Sequence, residues 1–577
     1  MLTSSKPGHG SYPAEHKRFK KDIATRIRSA TVSFSVPFIL LVFLCLGVML
    51  PIGALLLKSF LNPKGSFVWF DNFSRYASEP GLSIAIWNSA SLSLIATLLT
   101  LILAFPYAYA LNRSRLPYKG LFKAMILLPI LAPSLLPAFG LVYLFGNQGL
   151  LKSWLFGASI YGPIGIVIAH VFFALPHAVL ILSAGLASGD QRLYEAARAL
   201  KSSAWRTFFQ ITLPACRYSL ISAAAVVFVL VFTDFGIPTV IGGSTNVLAT
   251  DIYKLVIGRF DFELGAVVGV LLLVPALIAY AVDNLARRTQ RSTLTGRSVP
   301  LESDYVPARD IVLAVVVLLV AFAVLAVIGI AVFGSLVRFW PYNMSLGWHN
   351  YTKILFSPEE LQTLINSLLL ATAAAMVGTA LVMTSGWLVA RKVGEPKLNQ
   401  VLHGFAMVPL AVPGLVLGLG YVFFFNNPSN PLHFLQATMA LLVMCTIAHY
   451  YTVPHLMAVG ALVRFDAELD LAGTALKSEP IQTAKRIYLP ILAPTLIDIA
   501  GYFFVNAMTT VSALIFLFTA ENRVSAIAVI NMTEGSRIGQ ATALAVLIMG
   551  VCVAVAGLQT LLRNYIIQKQ TWRRRTV

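Results

Sequence analysis

Apolar stretches long enough to cross a bilayer recur along this chain, centred near residues 45, 97, 132, 174, 224 and 273 and again near 322, 376, 412, 447, 500 and 552. A hydrocarbon core about 30 Å thick takes about 20 mostly apolar residues of helix. The repeated stretches therefore predict an all-α membrane protein with about twelve transmembrane helices. Charged residues make up only 12% of the 577, where a soluble chain carries about a quarter. The deficit runs along the whole chain and not through one anchor. Pro106, Pro129, Pro133, Pro137 and Pro176 fall within the apolar stretches, which is tolerated where neighbouring helices satisfy the freed backbone groups.

The cations set the expected orientation. Arg113, Arg115, Lys119 and Lys123 lie between spans two and three, and Arg192, Arg198, Lys201 and Arg206 between four and five. Arg287, Arg288, Arg291 and Arg297 follow span six, and Arg391, Lys392 and Lys397 follow span eight. Alternate loops are aromatic and polar, as in Phe67-Val-Trp-Phe-Asp-Asn-Phe. Cytoplasmic loops carry the excess of Lys and Arg, so both termini are expected in the cytoplasm. The basic stretch from His16 to Lys21 precedes an apolar run from Val32 to Leu57. That run is too long for a signal peptide and reads as the first helix. The net charge of +19 thus reports topology and argues against nucleic-acid binding. Cys45, Cys216, Cys445 and Cys552 sit singly in apolar segments with no CxxC pair, which argues against a disulfide framework or a metal site.

The two sets of six spans repeat. Ala199-Leu200-Lys201-Ser202 recurs as Ala475-Leu476-Lys477-Ser478, and Ile211-Thr-Leu213-Pro214 as Ile487-Tyr-Leu489-Pro490. Pro129-x3-Pro133-x6-Gly140 matches Pro409-x3-Pro413-x6-Gly420, Pro176-His177 matches Pro454-His455, and Asn88-Ser89 matches Asn366-Ser367. The offset stays between about 276 and 280. Six spans return the chain to the starting side, so the repeats are parallel. The expected organisation is a cytoplasmic segment 1–31, a first repeat 32–285, a linker 286–309, a second repeat 310–566 and a basic tail 567–577.

Between spans four and five the chain is too polar to cross a membrane and too patterned for a slack loop. Glu195 to Leu200 are good helix formers, and Ser202 and Ser203 offer caps before the chain re-enters at Pro214. This predicts a short helix on the cytoplasmic face. Glu195-Ala196-Ala197, followed at fixed spacing by Ile211-x-Leu213-Pro214, resembles the EAA signature of ATP-binding-cassette (ABC) importer permeases. The resemblance implies a type I importer permease fold. It also implies that this segment is a coupling helix docking on a partner ATPase through Glu195, Ala196, Ala197, Lys201, Leu213 and Pro214, and in the second repeat through Ala472, Gly473, Lys477, Leu489 and Pro490. Two departures stand out. Lys201 and Lys477 occupy the family's usual Gly position, and Leu471-Ala472-Gly473 replaces Glu-Ala-Ala. No GxxxxGK[ST] phosphate loop occurs. The chain is therefore not itself an enzyme; ATP and Mg belong to the partner ATPase, expected in two copies, and no cofactor is expected in this chain.

Almost the whole chain looks like the fused, double-length permeases of the ferric-iron and phosphonate importer group. Tyr143-Leu-Phe-Gly-Asn-Gln-Gly149, Thr233-Asp234-Phe235-Gly236-Ile-Pro and Met508-Thr-Thr-Val-Ser-Ala513 are most similar to 2-aminoethylphosphonate permeases, with ferric iron as the alternative cargo. Membership implies a bacterial inner-membrane location and a periplasmic solute-binding protein as partner. Intramembrane polar groups are the candidates for the path. They are His177 and His455, which the repeat axis is expected to bring toward the central path, with Thr233, Asp234, Asn506, Thr509, Thr510 and Ser512; His170 and His449 are further ionisable groups in the same spans. An ion-coupled secondary transporter would need carboxylates deep in the membrane, and none lies near a span's centre.

Overall fold

The computed structural model describes residues 34–293, 306–466, 468, 475 and 480–570. The expected cytoplasmic segment 1–31, residues 294–305 of the linker, the end of the tail, and Ala472, Gly473 and Lys477 lie outside the described residues. The first half contains α1 (Phe34–Ser59), a short α2 (Asp71–Ser78) and α3 (Pro80–Arg113). A bent pair follows, α4 (Lys119–Leu131) and α5 (Leu135–Phe145), and then α6 (Pro163–Ala187). After these come α7 (Gln191–Ala199), α8 (Ala204–Phe232), a short α9 (Leu248–Tyr253) and α10 (Phe262–Thr293). Because α10 continues to Thr293, the expected linker boundary at 286 falls inside a helix.

The second half repeats the plan with α11 (Pro307–Leu336), a hairpin β1 (Val337–Phe339) and β2 (Asn343–Leu346), α12 (His349–Leu355) and α13 (Pro358–Ala390). It continues with the bent pairs α14 (Pro396–Ala411) with α15 (Gly414–Phe425), α16 (Met439–His449) with α17 (Thr452–Val463), and α18 (Ala484–Ile491) with α19 (Ala493–Thr509). It ends in α20 (Ser525–Glu534) and α21 (Ile538–Lys569). Eight described helices are long and apolar enough to span, and each bent pair counted as one span brings the number to 12.

The first helix of each half packs on the bent span of the other half, α1 on α15 and α11 on α5. The repeated glycines explain how. A Cβ on Gly140 would overlap the Val327 carbonyl oxygen, and one on Gly420 would sit 2.6 Å from the Pro51 carbonyl oxygen. Helices in lipid gain little from hydrophobic association, so close backbone approach at small residues carries the packing.

The repeated prolines set the bends. Ala132 and Val412, each just before a proline, are extended (ψ 149° and 114°), because proline disfavours the helical region for the residue ahead of it. The chain turns there by 100° and 111°.

Asn88-Ser89 and Asn366-Ser367 also do one job twice. Asn88 donates to Asn246 O (2.9 Å) and Ser89 accepts from Leu248 N (2.8 Å); Asn366 donates to Arg523 O (3.0 Å) and Ser367 accepts from Ser525 N (2.7 Å). Each pair anchors the start of the short helix that precedes its half's last span. A further repeated amide, Asn72 and Asn350, closes the free carbonyls at the ends of α1 and α11. Asn72 donates to Ser59 O and Leu61 O, and Asn350 to Ser335 O and Val337 O, all within 2.9–3.0 Å.

Gly140→Ala should destabilise the fold by about 2 kcal/mol through overpacking. Thermal unfolding in detergent checks this against Gly404→Ala, where an added Cβ meets nothing within 4 Å.

Candidate functional site

A cavity of about 280 Å3 lies between the halves. The two proline elbows form part of its wall, through Ala132 and Ser134 on one side and Pro409, Val412, Pro413 and Gly414 on the other. The breaks after α8 and α19 contribute to it, with Phe173 and His177 of α6 and the break between α16 and α17. Within each half a hydroxyl meets a glycine across these breaks, Ser134 against Gly236 and Ser512 against Gly414, with the residue types exchanged between the halves. A side chain at either glycine would collide with its serine, so both stretches are held close to the cavity.

This cavity gathers His177, Thr233, Asp234, Asn506, Thr509, Thr510 and Ser512. Thr233 and Thr509 donate to carbonyls four residues back on their own helices, Val229 O (2.8 Å) and Val505 O (2.9 Å), and Asn506 to Tyr502 O (2.7 Å). These polar groups thus line the cavity with their donors already engaged. Asp234 accepts from Ile237 N (2.8 Å), and the His170 ring nitrogen stands 3.5 Å from its carboxylate. Among the described residues Asp234 is the one carboxylate in the lining.

His455 does not reach the cavity. It is fully buried, with Nδ1 bonded to Ser385 Oγ (2.8 Å) and Nε2 to His403 Nδ1 (3.1 Å). His449 takes the place expected for it and lines the wall together with Tyr450. The reason is local. The fourth span of the first half, α6, stays continuous through Pro176, whereas its counterpart breaks between α16 and α17 with a 56° bend. The break re-aims the side chains on either side of it.

At one end of the bundle, α7 is the expected short helix. Asp190 caps it by accepting from Arg192 N. At its C-terminus Lys201 N donates to Arg198 O (2.9 Å) and Ser202 N to Ala197 O (2.9 Å), with Lys201 left-handed at φ 51°. This is a Schellman cap with Lys where glycine is usual. Glu195 and Ala196 are exposed and Ala197 is buried. Leu193, Leu200 and Trp205 are exposed beside them (53%, 83% and 74%), which leaves an apolar surface around the carboxylate. Leu213 and Pro214 begin the membrane-going part of α8, as Leu489 and Pro490 do at the junction of α18 and α19.

The residue that ties α7 to the bundle is Arg113, at the end of α3. Its Nη2 donates to Leu186 O (2.8 Å), its guanidinium lies 4.9 Å over the Tyr194 ring, and it packs against Gly189. Tyr194 in turn bonds Thr212 Oγ1 (3.1 Å), inside the Ile-x-Leu-Pro stretch. Arg391 stands at the matching position of the second half, where it donates to Phe465 O (2.9 Å) and stacks over Tyr488 at 5.2 Å. Both arginines stand out in the sequence only as loop charges. Their shared offset of 278 is the signal that marks them as a pair.

The chain matches the family described as the binding-protein-dependent transport system inner membrane component over two stretches, residues 96–341 and 382–568. It belongs to that family, the permease subunits of ABC importers. A ferric transport system permease protein of Actinobacillus pleuropneumoniae is 28% identical over 467 residues, 78% of this chain and 67% of that one. A protein named for ferric transport in Haemophilus influenzae is 30% identical over 436 residues, 73% and 68% of the two chains. A thiamine transport system permease protein of Salmonella typhimurium is 27% identical over 398 residues, 65% and 69%. The permease is accordingly a multi-pass membrane protein that works with an ATPase and a solute-binding protein and is not itself an enzyme.

Lys201→Gly removes the strain of a side chain in the left-handed region, worth about 1 kcal/mol. Amide hydrogen exchange across 197–203 should slow in this variant relative to the unaltered permease.

Proposed function

We propose that this permease, in the bacterial inner membrane with both termini in the cytoplasm, forms the path for a small phosphonate, with 2-aminoethylphosphonate as the favoured solute. The observation that carries this reading is the lining of the central cavity: hydroxyls, an amide, two imidazoles and the one carboxylate of Asp234. A zwitterion finds weak, replaceable partners for both of its charges on such a wall, as a path requires. The strings around Tyr143, Thr233 and Met508 supply the resemblance to phosphonate permeases. A periplasmic binding protein delivers the solute, and two copies of an ATPase bind ATP and Mg beneath the two halves. Ferric iron is the second reading, favoured by the relatives named for ferric transport. Among the described residues no three His, Cys, Asp or Glu side chains cluster as a metal ion would require, so iron would pass as a chelate and not as a bare ion.

The permease reconstituted with its ATPase and binding protein in proteoliposomes should take up labelled 2-aminoethylphosphonate on addition of ATP. Uptake of ferric chelate alone supports the second reading, and uptake of neither solute overturns both. Ala196→Trp places a bulky ring on the exposed face of α7. It should reduce co-purification of the ATPase by about tenfold, the scale of one disrupted interface anchor; unchanged co-purification counts against docking at α7.

A further inference from the structure

A larger cavity, about 580 Å3, opens at the end of the bundle opposite α7, on the seam between the halves. Tyr143, Gln148, Arg338, Trp340, Lys353 and Arg537 are among its lining residues, and no carboxylate lines it among the described residues. Arg537 leans on Glu360 (3.4 Å), a carboxylate that Arg523 also approaches (3.7 Å). Arg338 and Lys353 are exposed and form no ion pair among the described residues. Trp340 Nε1 donates to Gln148 O (2.9 Å), and its ring packs on Tyr143 with centroids 4.8 Å apart, which fixes one wall.

The first half shows what is different about this corner. There Arg75 on α2 pairs with Asp261, the residue that precedes α10. The equivalent positions in the second half are Lys353 on α12 and Arg537, the residue that precedes α21. An ion pair that closes the corner in one repeat is thus replaced by two cations in the other, and Arg338 adds a third. A cleft lined by one sign of charge concentrates the opposite ion.

We propose that this cavity binds an oxyanion of the phosphate class. The headgroup of an anionic phospholipid is the favoured source, and free phosphate or phosphonate is the other source of the same chemistry. The arginines match a phosphate's paired oxygens and the lysine supplies a point charge. The exposed Phe339, Tyr342 and Trp348 beside it (62%, 74% and 68%) make up the kind of aromatic rim found where protein meets the bilayer surface. The site does not depend on which solute crosses the permease.

The test uses the permease with its ATPase in nanodiscs of phosphatidylcholine mixed with phosphatidylglycerol. Lipid retained on extraction is counted by native mass spectrometry, and inorganic phosphate and 2-aminoethylphosphonate are titrated separately by calorimetry. Arg338→Gln with Lys353→Gln is compared with Arg75→Gln at the equivalent corner of the first half. Retention of phosphatidylglycerol should fall by about tenfold or more in the double variant, as loss of charged hydrogen bonds implies. It should persist in Arg75→Gln and in Arg338→Lys with Lys353→Arg. No lipid retention, but a calorimetric response to phosphate or phosphonate that the double variant loses, assigns the site to the free oxyanion. A double variant that matches the unaltered permease in both measurements overturns the proposal. Arg338 and Lys353 are exposed, and an unchanged melting temperature with retained ATPase confirms that the double variant folds.

Discussion

Two backbone carbonyls pressed against two glycines hold this permease together. The Val327 carbonyl meets Gly140 and the Pro51 carbonyl meets Gly420, so each half's first helix is committed to the bent span of the other half. In lipid, where apolar faces gain little by leaving the solvent, such close approach is the main source of helix attraction. The exchange means that the halves cannot part without breaking both contacts. Each bent span carries its glycine on one arm, at residue 140 or 420, and a cavity-lining elbow at its bend. The contact that joins the halves and the wall that faces the solute are therefore parts of one short element.

The prolines convert that arrangement into a path. A straight third span in each half would place an unbroken helix across the centre. The extended residues before Pro133 and Pro413 instead turn the chain by about a right angle and put irregular backbone at membrane depth, which is tolerated where it is enclosed by protein or lines a cavity. Below the path, Arg113 links α3, the end of α6 and α7 through Leu186 and Tyr194. Arg113 thus couples the position of α7 to the spans by direct contact, and Arg391 makes matching contacts to Phe465 and Tyr488 among the described residues of the second half.

Much of this was legible in the sequence, for definite reasons. Hydropathy reports how long an apolar stretch is, so the span positions could be read. The matched strings Asn88-Ser89 and Pro129-x3-Pro133-x6-Gly140 each have a local structural task, and strings with a task survive in both halves. The left-handed conformation at Lys201 was foreseeable because glycine usually fills that place. The direction of a side chain around a helix that is apolar on every face was not legible, since such a helix has no polar side to orient it. His455 is the example: the repeat aligned it with His177, but the bend after α16 turned His449 to the cavity and left His455 bonded between Ser385 and His403. Asn72 and Asn350 share one offset but sit in strings that are otherwise unlike, Phe70-Asp-Asn-Phe73 against Trp348-His-Asn-Tyr351, and Arg113 and Arg391 look like ordinary loop charges.

The central claim is that solute crosses at the seam between the halves, through a cavity whose access is set by ATP at the coupling end. The most direct measurement introduces single cysteines at Thr233 and Asn506, one on each half's wall of the cavity, after replacement of the four native cysteines. Membrane-impermeant thiol reagents are then applied from either side of proteoliposomes that hold the permease with its ATPase and binding protein. Both positions should react from one side without nucleotide and from the other when a non-hydrolysable ATP analogue is bound. Reaction from the same side in both states, or from neither, would contradict the claim.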